Sequence, residues 1–298
     1  MKISGYTYIR NGFTYEYPFM ESIKSILPIC DEFVVAVGDS KDGTKEAILS
    51  IGDPKIKIID TIWDETLRTN GKIFAQQANI ALKNITGDWA FHIQADELIH
   101  ENDLDKIYNH IKLADDENKI EGLLFDFLNF YGNYKFLNDT RYQHKKEIRV
   151  FRNNLNVFSY GDSQGVRKYL SYEAYLKNQK GYKLRVKYIQ IPVYHYSYVR
   201  NPYKMKEKMK FFESFWHDDN YIENKYHIED FDFYNIERLK QFDGTHPSLM
   251  NDIIAGNDWD FDTKKIHKSL KIKDKIIYWI EDRINHRIGE SRNYKIIR

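Results

Sequence analysis

The stretch Gly87–Glu97, GDWAFHIQADE, constrains the fold more than any other part of the chain. A turn at Gly87 and Asp88 leads into a mostly apolar and aromatic run, Trp89 to Ile93, which ends in two adjacent acids, Asp96 and Glu97. A short apolar run between a turn and a carboxylate reads as a central strand of a parallel sheet, covered on both faces. In open α/β sheets ligands bind just beyond the carboxyl ends of the strands. Asp96 therefore falls where a ligand or metal ion would sit. It also fits the N-cap of the helix expected from LIHENDLDKIYNHI, and the residues of this stretch alone leave both roles open.

The residues before it repeat one unit. Lys2 to Ile9, Glu32 to Val37 and Lys55 to Asp60 read as strands, and helices are expected over Tyr15–Ile29, Lys45–Ile51 and about Lys72–Asn84. With the strand at Trp89 this is β-α-β-α-β-α-β, which predicts a parallel sheet with right-handed crossovers. Beyond a helix at Glu101–Leu113, strand-like runs at Glu121–Phe130, Glu147–Phe151 and Leu184–Tyr194 are joined by irregular links, so mixed pairing is expected on that side of the sheet. From Pro202 onward the pattern is helical: Tyr203–Trp216, Ile236–Gln241, Pro247–Ile254 and Lys273–Ile288. The expected division is residues 1–200 as one α/β domain, with a strand-rich second half from 101, and 201–298 as a helical extension.

Bulk properties exclude some functions. A formal net charge of +1 over 298 residues argues against nucleic-acid binding through a global basic field. The lone cysteine, Cys30, permits no intrachain disulfide and fits a reducing compartment. It reads as a small core residue. No secretory leader and no 18-residue apolar run are visible, so a cytoplasmic location is expected.

Two polar segments flank the expected strand ends. Gly38 to Thr44, GDSKDGT, is not a phosphate-cradling loop, and its Asp39 suits the hydroxyls or base of a nucleotide. Asp42 and Thr44 read equally well as turn and helix cap. Arg68 and Lys72 flank a glycine after the third strand, where basic groups would neutralise a diphosphate.

The D-S-x-D-G-T turn, the Arg/Lys-bearing loop and the strand ending in Gln94-Ala95-Asp96-Glu97, in this order and spacing, resemble the nucleotide-binding half of family 2 glycosyltransferases with the GT-A fold. His195–Arg200 (HYSYVR) and His246–Met250 (HPSLM) are similar to segments of a bacterial branch of that family. The resemblance covers residues 1–200 well and the remainder weakly. It implies a Rossmann-like, mostly parallel sheet flanked by helices. It implies a nucleotide-diphosphate sugar donor, UDP before GDP, with Arg10, Asp39, Asp42, Arg68, Lys72, Gln94 and Asp96 around it. It also implies Mn²⁺ or Mg²⁺ on Asp96 and His195, and an inverting single displacement onto a glycan or lipid-linked acceptor. Two residues depart from the pattern: Gln94 stands for the first acid of an Asp-x-Asp motif, removing one anionic metal ligand, and Gly38 stands where many members carry an acid.

Such chemistry needs a base for the acceptor hydroxyl. Asp162, in the glycine-bearing turn SYGDSQGVR, is the expected base, with Glu147 and Asp126 as the alternatives. Trp63, Tyr131 and Tyr134 are candidates for a sugar platform, or for packing. The segment Lys264–Arg298 holds eleven Lys/Arg against four Asp/Glu, with isoleucine every fourth residue from Ile272 to Ile288. That basic amphipathic helix fits an anionic membrane surface, or packing on its own domain or in a homodimer; packing is the expectation. A nucleotidyltransferase is disfavoured because RNGFTYEY after the first strand lacks a glycine-rich phosphate loop. A glycan-binding relative without a metal site stays open through Gln94.

Overall fold

The computed structural model describes every residue except 65, 68–70, 164, 228–230, 285, 286, 291 and 298, so Arg68 lies outside the described residues. Its strands are β1 (Ile3–Ile9), β2 (Glu32–Val37), β3 (Ile56–Asp60), β4 (Trp89–His92), β5 (Glu97–Ile99), β6 (Gly122–Tyr131), β7 (Asn133–Asn138), β8 (Lys146–Arg152), β9 (Val157–Tyr160), β10 (Gly165–Lys168), β11 (Leu184–Tyr198), β12 (Leu239–Gln241) and β13 (Tyr294–Ile296). Its α-helices are α1 (Phe19–Ile26), α2 (Thr44–Ser50), α3 (Lys72–Lys83), α4 (Leu104–Asp115), α5 (Tyr172–Leu176), α6 (Pro202–Glu213), α7 (Asp219–Lys225), α8 (Asn251–Ala255) and α9 (Ile272–Ile284).

The main sheet runs β12-β7-β6-β8-β4-β1-β2-β3. Strands β4, β1, β2 and β3 are parallel, and β8 joins β4 antiparallel. Strand β11 lies parallel to β6. This is the α/β architecture expected, parallel in its first half and mixed beyond. Every residue of β2 and β4 is buried, because successive side chains feed opposite faces that are both covered. Phe33, Val35 and Val37 pack in one core with Ile23 and Ile26 of α1 and Ile107 and Ile111 of α4. Val34 and Ala36 pack in the other with Ala81 and Leu82 of α3. Each buried Val, Leu, Ile or Phe among them contributes roughly 1.5–3 kcal/mol.

Three sequence expectations are corrected. The first helix begins at Phe19, not Tyr15, with Pro18 as its N-cap; a proline keeps the preceding residue out of the helical region, so the helix cannot extend back. Leu239–Gln241 is a strand, not a helix: it pairs antiparallel with β7 and covers that edge. The predicted helix following Asp96 starts only at Leu104, after a 3-10 turn at Glu101–Asp103, because Glu97–Ile99 forms β5 against β11. The C-terminal segment is tied to the sheet at two places, by β12 on β7 and by β13 on β11.

Helix α9 half-buries Ile277 and Ile280 and turns its other isoleucines outward. Tyr278 and Glu281 face inward, while Ile272, Ile276, Trp279 and Ile284 are exposed, as is Ile288 beyond its end. Among the described residues no helix is long and apolar enough to cross a membrane.

Candidate active site

A cavity of about 370 Å³ opens where β1 and β4 end, a volume in the range of small-molecule sites. Its wall combines Arg10 after β1, Gln94–Glu97 after β4, Glu147 and Arg149 of β8, Asp162 and Ser163 from the β9–β10 turn, His195 and Ser197 of β11, and Lys208, Phe211 and Phe212 of α6.

Strand pairing explains how distant residues meet. β5 and β11 pair antiparallel with His195 opposite Glu97, and the Tyr196 N–H donates to the Asp96 carbonyl at 2.8 Å. That register carries His195 Nε2 to 3.7 Å from Asp96 Oδ1. Asn129 fixes the imidazole. Its Nδ2 donates to the His144 carbonyl at 2.9 Å, which leaves Oδ1 to accept from His195 Nδ1 at 2.8 Å. Nε2 is then the lone-pair side of a neutral ring. Burial lowers the His195 pKa below its usual value, against the pull of Asp96 and Glu97.

The adjacent acids Asp96 and Glu97 part company. Glu97 is fully buried and accepts from Arg149 Nε at 2.8 Å and Nη2 at 2.5 Å, and from the Gln94 N–H at 3.1 Å. Asp96 instead faces the cavity and accepts from Lys208 Nζ at 3.2 Å. Lys208 also donates to the Ser197 carbonyl at 2.9 Å and the Ser197 hydroxyl at 2.8 Å, and its ammonium lies 4.9 Å from the centre of the Tyr17 ring. Burial pushes the Asp96 carboxyl up, but the Lys208 and Arg200 charges outweigh it and hold it below the usual carboxylate range. Burial first, then the Arg200 guanidinium, pull Lys208 below the usual ammonium range, against the attraction of Asp96. Burial, with Glu97, Glu290 and Asp162 adding to it and Arg149 opposing, pushes Glu147 up to about 8, so it is protonated at neutral pH.

The other predicted residues fall as follows. Gln94 lines the cavity, and its Nε2 donates to the Ser163 carbonyl at 3.3 Å, tying the β9–β10 turn to the end of β4. Asp162 in that turn is brought against Gly71 at the start of α3. A Cβ on Gly71 would lie 2.8 Å from the Asp162 Cβ, and its φ of 61° is one a side chain resists. Arg10 and Asp39 pair with each other through two contacts of 3.0 Å at the ends of β1 and β2. Gly38 makes room there, since a Cβ would sit 2.6 Å from the indole nitrogen of Trp63. Asp42 caps its own turn, accepting from the Thr14 N–H at 2.8 Å and the Thr44 N–H at 3.2 Å. Lys72 is exposed at the start of α3, outside the cavity wall. Asp126 is held by Lys146 and Tyr188, also outside it. Trp63 lines the cavity, whereas Tyr131 and Tyr134 are buried in aromatic clusters.

Sequence reasoning missed Lys208, Arg149 and Ser197. A signal for Lys208 existed: it precedes Phe211 and Phe212 by three and four residues, so the three share a helix face.

The donor set does not suit a resident divalent ion. Among the described residues no group of three His, Cys, Asp or Glu side chains is placed to hold one. Gln94 is turned to Ser163, and an ammonium already occupies the inner side of Asp96.

No protein-family model matches the sequence, and no curated protein matches it. Solved structures match at low identity. S. aureus TarS 1–349 is 18% identical, with a TM-score of 0.39, over 71% of this chain and 64% of that one. The same fragment in complex with UDP-GlcNAc gives 19% and 0.39, over 71% and 65%. Glucosyl-3-phosphoglycerate synthase from Mycobacterium tuberculosis, in complex with Mn²⁺, UDP and phosphoglyceric acid, gives 19% and 0.31 over 44% and 43%. The chain thus spans just under two thirds of the TarS fragment. Likenesses below a TM-score of 0.5 leave substrate and chemistry to be argued from this chain's own cavity.

Proposed function

We propose that this protein is an inverting glycosyltransferase that moves a sugar from a nucleotide-diphosphate donor to a hydroxyl acceptor. The observation that carries the reading is the convergence of Asp96, His195, Lys208 and Asp162 on one cavity at the carboxyl end of the parallel strands. The QADE and DSxDGT segments that resemble family 2 glycosyltransferases stand at the ends of β4 and β2 beside it.

In this reading the donor lies across the ends of β1, β2 and β4. The Arg10–Asp39 pair and Trp63 lie on the nucleotide side, with UDP favoured over GDP as its nucleotide. The acceptor hydroxyl attacks the anomeric carbon from the Asp162 side. Of the cavity's carboxylates, Glu97 is neutralised by Arg149, Asp96 is held by Lys208, and Glu147 is protonated at neutral pH. Asp162, on the β9–β10 turn that lines the cavity, is the proton acceptor in this reading because of that position. The exposed Ile272, Ile276, Trp279 and Ile284 of α9, beside exposed Lys271, Lys273 and Lys275, support a lipid-linked acceptor presented at an anionic membrane surface. The Mn²⁺ or Mg²⁺ that the resemblance implies is not part of this reading, because the residues around Asp96 do not suit it.

The test is release of free nucleoside diphosphate from a panel of UDP- and GDP-hexoses by the full chain. The expected result is turnover of one donor that Asp162→Asn lowers by about 10²–10⁴-fold. Turnover of none, with lipid-linked and free glycan acceptors supplied, would remove the reading.

A further inference from the structure

We propose that the Lys208 ammonium takes the place of a divalent cation at Asp96, so that the donor diphosphate is bound and released without metal. This inference rests on the glycosyltransferase reading and names how its site handles the leaving group.

Three observations carry it. First, Lys208 is built in. It is buried, it comes from the second turn of α6, and its three N–H groups are met by Asp96 Oδ2, the Ser197 carbonyl and the Ser197 hydroxyl. Helix α6 is itself fixed at its start, where the Asn201 side chain caps it and Pro202 opens it. The neighbouring Arg200 is buried and donates to the Ser197 carbonyl at 2.6 Å. An ammonium held on a carboxylate and two neutral oxygens is the arrangement a small cation would have. Second, the metal alternative is short of an anionic ligand: Gln94 is neutral, and its Nε2 is committed to Ser163. Third, among the described residues the other cations of the cavity wall are engaged elsewhere. Arg149 is consumed by Glu97, and Arg10 is paired with Asp39 at the ends of β1 and β2. Lys208 is thus the cation placed beside Asp96, where the resemblance puts the donor's diphosphate.

In the transfer, the acceptor oxygen forms a bond to the anomeric carbon as the bond from that carbon to the diphosphate oxygen breaks. The acceptor proton passes to Asp162. The bonding pair leaves on the diphosphate, where a Lys208 N–H turned from the Ser197 hydroxyl donates to the developing charge. That hydroxyl is free to rotate and donate to a second phosphate oxygen.

The experiment is calorimetric titration of UDP, and separately GDP, into the full chain in EDTA and in Mn²⁺, repeated with Lys208→Met and Lys208→Arg. The expected result is binding in EDTA that Mn²⁺ leaves essentially unchanged. Lys208→Met weakens it about tenfold or more, the worth of one hydrogen bond to a charged group, and Lys208→Arg retains most of it. Binding that requires Mn²⁺ would overturn the proposal and leave the glycosyltransferase reading standing. So would undiminished binding by Lys208→Met in EDTA. No binding of either nucleotide under any condition would overturn both. Where Lys208→Met fails to fold, the EDTA comparison on the unsubstituted chain decides the metal question and the EDTA titration of Lys208→Gln decides the role of the ammonium.

Discussion

Replacing Arg149 by methionine tests the electrostatic layout beneath the cavity. The Arg149 and Glu97 side chains are 3% and 0% exposed, and two N–H groups reach the two carboxylate oxygens. The guanidinium also lies 4.8 Å from the Phe127 ring centre. Methionine fills much of that stem volume and leaves the buried Glu97 carboxylate with the Gln94 N–H donating to it at 3.1 Å. Breaking a buried pair from one side costs about 3–5 kcal/mol, because the abandoned charge is no longer compensated. At roughly 2.1 cal/mol/K of unfolding entropy per residue, each kcal/mol moves the midpoint of this 298-residue chain by about 1.6 °C, so a fall of roughly 5–8 °C is expected. Urea denaturation and a thermal melt on the same samples measure it. The double variant Glu97→Gln/Arg149→Met removes the stranded charge and recovers much of the loss. A single-variant loss below about 1 kcal/mol, as for an exposed pair, would refute the reasoning. So would a double variant whose loss equals the sum of the singles.

Other outcomes follow from the same geometry. Glu147 holds a proton in the folded state up to about pH 8 but only to its ordinary value near 4.5 once unfolded. The folded state therefore binds more protons between those limits, and stability falls as pH rises through that window; Glu147→Gln flattens this dependence in melts across it, and an unchanged slope contradicts the assignment. Asp162→Asn lowers turnover by about 10²–10⁴-fold while leaving UDP binding by calorimetry near the unsubstituted value; equal turnover would move the base elsewhere. The full chain co-sediments with vesicles containing phosphatidylserine, and Ile276→Glu with Trp279→Glu abolishes this; no sedimentation of the unsubstituted chain would show that α9 serves some other contact.

Much of the first half was legible because its strands are buried on both faces. EFVVAV and WAFH carry that burial in their composition, and the turns between them carry Gly, Asp and Asn. What escaped were elements formed by pairing rather than by pattern. β5 and β12 are three residues each and exist because β11 and β7 offer them an edge, which no local periodicity announces. The same holds for the site. Asp96, Gln94, His195 and Asp162 were legible as chemistry-bearing residues in turns or at strand ends. Lys208 lies inside a lysine-rich helix, KMKEKMK, where alternate lysines look equally solvated. The i+3 and i+4 phenylalanines mark its face, and the packing of Phe211, Phe212 and Phe215 against Trp63 and Phe74 is what carries that face inward. The Arg10–Asp39 pair shows the converse: two residues read separately as nucleotide contacts are each other's partner.

The most direct measurement is the thermal midpoint of the full chain against UDP-, GDP-, CMP- and dTDP-sugars, each in EDTA and in Mn²⁺. A ligand at ~100 times its dissociation constant adds about 2.7 kcal/mol, a shift of several degrees. The account predicts such a shift for one uridine or guanosine diphosphate sugar, present in EDTA. No shift with any nucleotide sugar in either medium would contradict the claim that the cavity at the end of β4 is a nucleotide-sugar site.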